Sequence, residues 1–408
     1  VENNLRRLLI SVFAVVTLFA YNNCSKGGFE VLSASSTNVL NAGLSNPLQI
    51  IGTESNVMPV TVGCGYVNEP CVSVTICTPG TDTCQTIPNI LLDTGSYGLR
   101  LFGSLVTVGL TSTSIGGGSL AQCVSYADGT SDWGPVKTAD VVLGKERAPN
   151  VPIQIIDSTF TGIPSDCTKP DASPAKAGFN GILGIGLFVE DCGAGCTTVA
   201  NNRIYFSCSG SSCTPTTVPL AKQVSNPVAF LPLNNNGTAL QLPAIPDSGA
   251  QSLSGYLVLG IGTQKNNTPV DAHFLKADDQ ARINTAFNGH TYSSFIDSGS
   301  NGLFFPAPSS LATCDSSTGV NGFYCPSSNS PLTAVQSSSA GGAFGIDFQV
   351  MSAAVALDPK NPNMAFNNLA GGFDDAFDWG LPFFMGRAVF SGIAGKTSSL
   401  GTGPYWAY

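Results

Sequence analysis

Two short stretches carry residue types that could do chemistry together. Ile90-Leu91-Leu92-Asp93-Thr94-Gly95-Ser96-Tyr97-Gly98-Leu99 returns 204 positions later (297 − 93) as Ser294-Phe295-Ile296-Asp297-Ser298-Gly299-Ser300-Asn301-Gly302-Leu303. Asp, Gly, Ser, Gly and Leu coincide in both copies, and the hydroxyl of Ser298 matches that of Thr94. Each copy is an apolar, β-type run that drives into a turn carrying one carboxylate. Two copies at this separation indicate a duplicated lobe, not a repeat array. One site shared across a pseudo-twofold axis follows. Two carboxylates about 3 Å apart cannot both ionise easily, so they share a proton and their apparent pKa values split. The ionised member can activate a water as general base, and the protonated member can polarise a carbonyl. That pairing suits amide hydrolysis. The sequence does not say which Asp takes which part, because the proton belongs to the pair. Gly95 and Gly299 let backbone come close to the carboxylates.

Elements able to hold such turns are written throughout the 408 residues. Short Val/Ile/Thr/Phe runs punctuated by Gly, Pro and Asn predict an all-β protein, and no long segment keeps helical periodicity. Val72-Ser73-Val74-Thr75-Ile76 enters a turn-rich stretch from Cys77 to Cys84, and the return strand delivers Asp93. Apolar residues make up 43% and charged residues 11%, enough for real cores in two or three domains. A formal charge of −9 argues against nucleic-acid partners, which need clustered Lys and Arg.

Thirteen cysteines beside only two histidines, His273 and His290, point to disulfides in an exported protein and away from metal ligation. The spacings suggest small closed loops: Cys64/Cys71, Cys77/Cys84, Cys192/Cys196, Cys208/Cys213 and Cys314/Cys325, with Cys123/Cys167 as a longer pair. Cys24 is left over. Arg6 and Arg7 precede an apolar run from Leu8 to Ala20, the pattern of a secretory signal, too short for a comfortable transmembrane span. The run ends at Tyr21-Asn22-Asn23-Cys24, so Cys24 is a lipidation candidate that would attach the chain to a membrane. The alternative is cleavage near Ala20 and free secretion. We therefore divide the chain into a signal peptide (1–24), a Ser/Asn/Gly-rich tether (25–53), a first lobe (54–232) and a second lobe (233–408).

From Val57 to Tyr408 the chain resembles the two-lobed, pepsin-like aspartic peptidases. Asp93-Thr94-Gly95 and Asp297-Ser298-Gly299 match the family's two catalytic turns, and Tyr126-Ala127-Asp128-Gly129-Thr130 lies where its flap hairpin should be. Asn180-Gly181-Ile182-Leu183-Gly184 resembles the apolar-apolar-Gly element behind the first turn. Gly255 to Gly262 resembles the strand that opens the second lobe, and Asp378-Trp379-Gly380-Leu381-Pro382-Phe383-Phe384 the second such element. The resemblance closes specifically onto a divergent group of bacterial exported proteins.

It implies a bilobed all-β fold with two barrel-like lobes and a central cleft. It also implies an endopeptidase that binds a polypeptide substrate between Asp93 and Asp297, acts as a monomer and uses no metal or organic cofactor. Thr94 and Ser298 would lock the two loops together, and Ser96 and Ser300 would orient the carboxylates. Tyr126, Asp128, Gly129 and Arg100 would form the flap side. Three departures stand out: Arg100 where the family has Trp, Asp128 at the flap tip, and Pro382 where the second element would have Gly.

Rival motifs are weaker. Gly260 and Gly262 lack the third Gly and the helix of a nucleotide loop. No Gly-x-Ser-x-Gly elbow serves either His. Asp247-Ser248-Gly249 follows Pro246 and reads as a turn. The remaining rival is a silent pepsin-fold binding module.

Overall fold

The computed structural model describes residues 47–126 and 129–408. Cys24 and the expected signal, and Ala127 and Asp128 of the expected flap tip, lie outside the described residues.

Among these residues the chain is almost entirely β, with only short helical turns. Six antiparallel strands of one large sheet form the base. Val57–Val62 pairs along its whole length with Leu253–Leu259, which pairs with Gly237–Leu242, then Arg387–Gly392, Tyr405–Ala407 and Phe274–Lys276. The segment resembling the opening strand of the second lobe therefore binds the first lobe's leading strand. The second lobe itself enters the sheet at Gly237–Leu242. The end of the expected tether is also part of this body. Leu48 and Ile50 are buried with Val258, Phe390 and Tyr405, and Leu48 N–H donates to Gln241 Oε1 at 2.7 Å. Two apolar side chains near a sheet are better buried than left in a solvated linker.

On this base each lobe builds the same three-strand device. In the first, Cys84–Asp93 runs parallel to Gly181–Ile185, which is antiparallel to Tyr97–Phe102. In the second, His290–Ile296 runs parallel to Ala376–Trp379, which is antiparallel to Leu303–Phe305. Each strand-turn-strand unit thus wraps a third strand between its arms, and this fixes where the turn points. Asn288 and Gly289, both at positive φ, make the tight turn into His290–Ile296, so His290 is a hairpin residue. His273 stacks on Phe344.

The registers correct one expectation. Gly184 lies opposite Asp93 and Gly98, and Trp379 opposite Leu303. Gly380 is therefore the counterpart of Gly184, and Pro382 is no departure. A Cβ at Gly380 would lie 2.7 Å from the Ser300 carbonyl, so only glycine fits there. Phe383 and Phe384 then pack in the core.

All six expected cysteine pairings are formed: 64–71, 77–84, 123–167, 192–196, 208–213 and 314–325. Such disulfides fit an extracellular protein. Among the described residues no helix is long and apolar enough to cross a membrane.

Candidate active site

The two turns meet at the interface of the lobes, and four hydrogen bonds join them. Thr94 N–H donates to Ser298 Oγ at 3.1 Å, and Ser298 N–H to Thr94 Oγ1 at 2.9 Å. Each hydroxyl donates in turn to the opposite lobe's backbone, Thr94 to the Ile296 carbonyl (3.0 Å) and Ser298 to the Leu92 carbonyl (2.7 Å). A hydroxyl can accept and donate at once, so one small residue per lobe satisfies two buried backbone groups of its partner.

This grip brings the carboxylates together. Asp93 and Asp297 are both fully buried. Gly95 N–H donates to Asp93 Oδ1 (2.7 Å) and Gly299 N–H to Asp297 Oδ1 (2.8 Å). Ser96 Oγ donates to Asp93 Oδ2, and Ser300 Oγ to Asp297 Oδ2 at 2.9 Å. A Cβ at Gly95 would lie 2.5 Å from Asp297 Cγ, and one at Gly299 2.7 Å from Asp93 Oδ1. The glycines are required by close approach across the axis. Burial first, then the charges of Asp93 and Asp378, push the Asp297 carboxyl well above its ordinary range, while the Ser300 bond opposes them.

The expected flap residues fall differently. Gly118–Ser125 and Ser131–Leu143 do form a hairpin, with Gly129 exposed at its turn at φ 83°. Tyr126, however, is buried in one cluster with Leu91, Phe102, Phe179 and Ile182, and its hydroxyl donates to Asp132. Arg100 makes no surface for substrate. It is fully buried and ion-paired with Asp191 at 3.0 Å, and Tyr205 donates to the same carboxylate at 2.6 Å. A guanidinium in that core needs a compensating charge, and the loop after Gly181–Ile185 supplies it. Burial still pushes the Asp191 carboxyl up to about 6 against the Arg100 charge.

Two features were not foreseen. The first is a strap across the lobes. Asn68 donates from Nδ2 to the carbonyls of Asn301 (2.7 Å) and Phe366 (2.9 Å), donates from its backbone to Met364, and accepts from Phe366 N–H at 2.7 Å. Asn301 directly follows Ser300, so the Cys64–Cys71 loop is fastened beside the second turn. The Glu69 carboxylate holds this loop from within, accepting from Tyr66 and Gly65 N–H. Burial pushes it up to about 8.

The second is a cavity of about 380 Å³ beside the dyad, lined by Thr94, Gly95, Phe188, Glu190, Arg282 and Phe295 among others. Nothing in the local sequence marked Arg282, because the partner that aligns it comes from another strand. Among the described residues no cluster of His, Cys, Asp and Glu could hold a metal ion.

The sequence pattern of a family described as "Protein of unknown function (DUF3443)" matches residues 52–408. No curated protein matches the chain. Among solved structures the chain is similar to the aspartic proteinase from Irpex lacteus, at 15% identity and a TM-score of 0.45, covering 86% of this chain and 96% of that one.

Proposed function

The chain belongs to the DUF3443 family, and from the geometry of its site we propose that it is an exported aspartic endopeptidase. The supporting observation is the reciprocal grip of Thr94 and Ser298, which holds two buried carboxylates from duplicated turns within mutual reach. Fold alone does not carry an activity. A pair of carboxylates kept at one shared proton does carry a chemistry.

In this reading the pair shares one proton, because burial and the mutual approach of two acids disfavour a second charge. The ionised member then takes the general base's part. It removes a proton from water as the water oxygen bonds to the scissile carbonyl carbon, while the protonated member gives its proton to the carbonyl oxygen. Collapse of the tetrahedral species breaks the C–N bond and the amine leaves with a proton returned by the pair. Ser96 and Ser300 hold the outer oxygens, so the inner ones face the reacting water. The substrate is a polypeptide between the lobes, and neither metal nor organic cofactor takes part.

One observation favours the second reading, a silent binding module: Tyr126 is buried in its own lobe instead of being free to close over a substrate. A single experiment separates the two. A denatured protein substrate is incubated from acidic to neutral pH with wild type and with Asp93→Ala, with and without a statine-type transition-state mimic. Cleavage lost in the variant and blocked by the mimic supports the peptidase. No cleavage at any pH by folded, disulfide-bonded protein sinks it. The localisation, and anchoring through Cys24, are tested by labelling with a fatty-acid probe and comparing wild type with Cys24→Ala.

A further inference from the structure

The cavity beside the dyad contains a cation that no acidic group among the described residues neutralises by contact. Arg282 leads the strand Ile283–Phe287, and its guanidinium lies over the Phe295 ring at 4.4 Å from the centroid. Phe295 is buried two residues before Asp297. Stacking on that ring fixes the plane of the guanidinium and leaves its edges for hydrogen bonding. Among the described residues its side chain makes no hydrogen bond and no ion pair. The residue is half-buried, and the same cavity is lined by Thr94 and Gly95 of the first turn. A planar donor of this kind, partly withdrawn from water, is suited to a bidentate carboxylate.

The surrounding acids are exposed, engaged elsewhere or held back by burial. Asp278 and Asp279 are exposed, and Asp278 uses one oxygen to accept from Gln280 and Arg282 backbone N–H. Burial pushes the Arg282 guanidinium down, and the buried Asp378, paired with Phe295 across the ladder, is among the groups that oppose this. Asp191 is taken by Arg100. Glu190 also lines the cavity, and burial raises its carboxyl, so it is a weaker competitor on the acidic side. Tyr97 is a neutral wall.

We propose that Arg282 is a specificity-determining residue that binds a carboxylate of the substrate in the cavity beside the Asp93/Asp297 pair. The carboxylate is either an acidic side chain near the scissile bond or the free C-terminus of a short peptide. This rests on the peptidase reading for its place in turnover. The binding site itself stands apart from that reading.

The test uses octapeptides of one sequence, each with Glu or Gln scanned through the positions flanking the cut, and each with a free or amidated C-terminus. Cleavage is followed by mass spectrometry for wild type, Arg282→Gln and Arg282→Lys. The expected result is a preference in kcat/KM of about tenfold or more for the carboxylate over its amide isostere, of the size charge-assisted hydrogen bonds give. That ratio falls to near one in Arg282→Gln and is partly kept in Arg282→Lys. Preference at a Glu position identifies an acidic side chain, and preference for the free end identifies a terminal carboxylate. Cleavage with no such preference, or a preference that survives Arg282→Gln, overturns the proposal and leaves the peptidase reading intact. In parallel, calorimetric titration of the same peptides into Asp93→Asn protein reads binding without turnover. If wild type cuts nothing yet these peptides bind in an Arg282-dependent way, the site stands and the peptidase reading falls. Absence of both cleavage and binding removes both.

Discussion

The two lobes hold equivalent turns by different means, and one pair of positions shows how. Arg100 lies opposite Ile182 in the first lobe, while its counterpart Phe304 lies opposite Asp378 in the second. Each lobe therefore buries one charge behind its turn, of opposite sign and on opposite strands. The first lobe closes its charge into a contact network of Asp191, Gln122 and Tyr205. The second builds stacked rings on the opposite face of the strand that carries its charge: Phe377 lies 4.4 Å from Trp379 and 4.9 Å from Phe305, and Trp379 Nε1–H donates to Thr285 Oγ1 at 2.9 Å. The buried Asp378 is among the groups that raise Asp297 and that oppose the lowering of Arg282 by burial. Equivalent turns therefore sit in front of buried groups of opposite sign. The bridges divide likewise, with five disulfides before residue 232 and one after it.

The largest effect should treat the lobes alike. Asp93→Asn and Asp297→Asn should each lower kcat by about 10²–10⁴-fold, measured on a peptide substrate with folding checked by circular dichroism; near-normal turnover in either would break the pairing. The Asp297 carboxyl is raised in the folded state, so the folded protein binds that proton more tightly than the unfolded chain. Its contribution is then complete below the ordinary carboxylate range and is lost as pH rises through the raised value. Asp297→Asn should flatten that loss in urea titrations run across pH, and a curve as steep as wild type would argue against it. Glu69, raised to about 8, has the same sign, so Glu69→Gln should flatten the fall between the ordinary Glu range and about pH 8.

Next in size is the buried pair. Arg100→Met strands Asp191 and should cost about 3–5 kcal/mol, read from urea midpoints, whereas Arg100→Met with Asp191→Asn should recover part of it. Additive losses would mean that the two are not coupled. Removing the Cys123–Cys167 bridge, which spans 44 residues and ties the flap hairpin to the loop before Gly181–Ile185, should cost about 2–4 kcal/mol. Cys314→Ser with Cys325→Ser should cost less, because its loop spans 11 residues. Equal losses would show that loop length is not what separates the lobes. The smallest effect is the most local. Asp378→Asn removes one of the charges that raise Asp297, so the alkaline limb of the pH–rate profile should move to lower pH; a limb that stays in place would remove Asp378 from the site.

The sequence alone determined the elements that repeat. Paired Asp-Thr/Ser-Gly turns, alternating apolar runs and closely spaced cysteines are local signals, and each is enforced by neighbours within a few residues. The all-β, two-lobed architecture and the five short-loop bridges were legible for that reason, whereas Cys123–Cys167 remained as the longer pair and the hydroxyl grip followed from the family resemblance. Register was less so. Pro382 was misaligned because only the ladder opposite Leu303 shows that Gly380 is the close-packed glycine. Burial also escaped the sequence: Leu48 and Ile50 look like tether until a sheet edge is placed beside them. What only the tertiary structure decided is the use of charge. Whether Arg100 meets substrate or Asp191, whether Asn68 fastens the lobes, and whether Arg282 stays unpaired over Phe295 all depend on partners from distant segments. A side chain's electrostatic role is set by what the fold puts within a few ångströms of it, and the order of residues along the chain does not contain that distance.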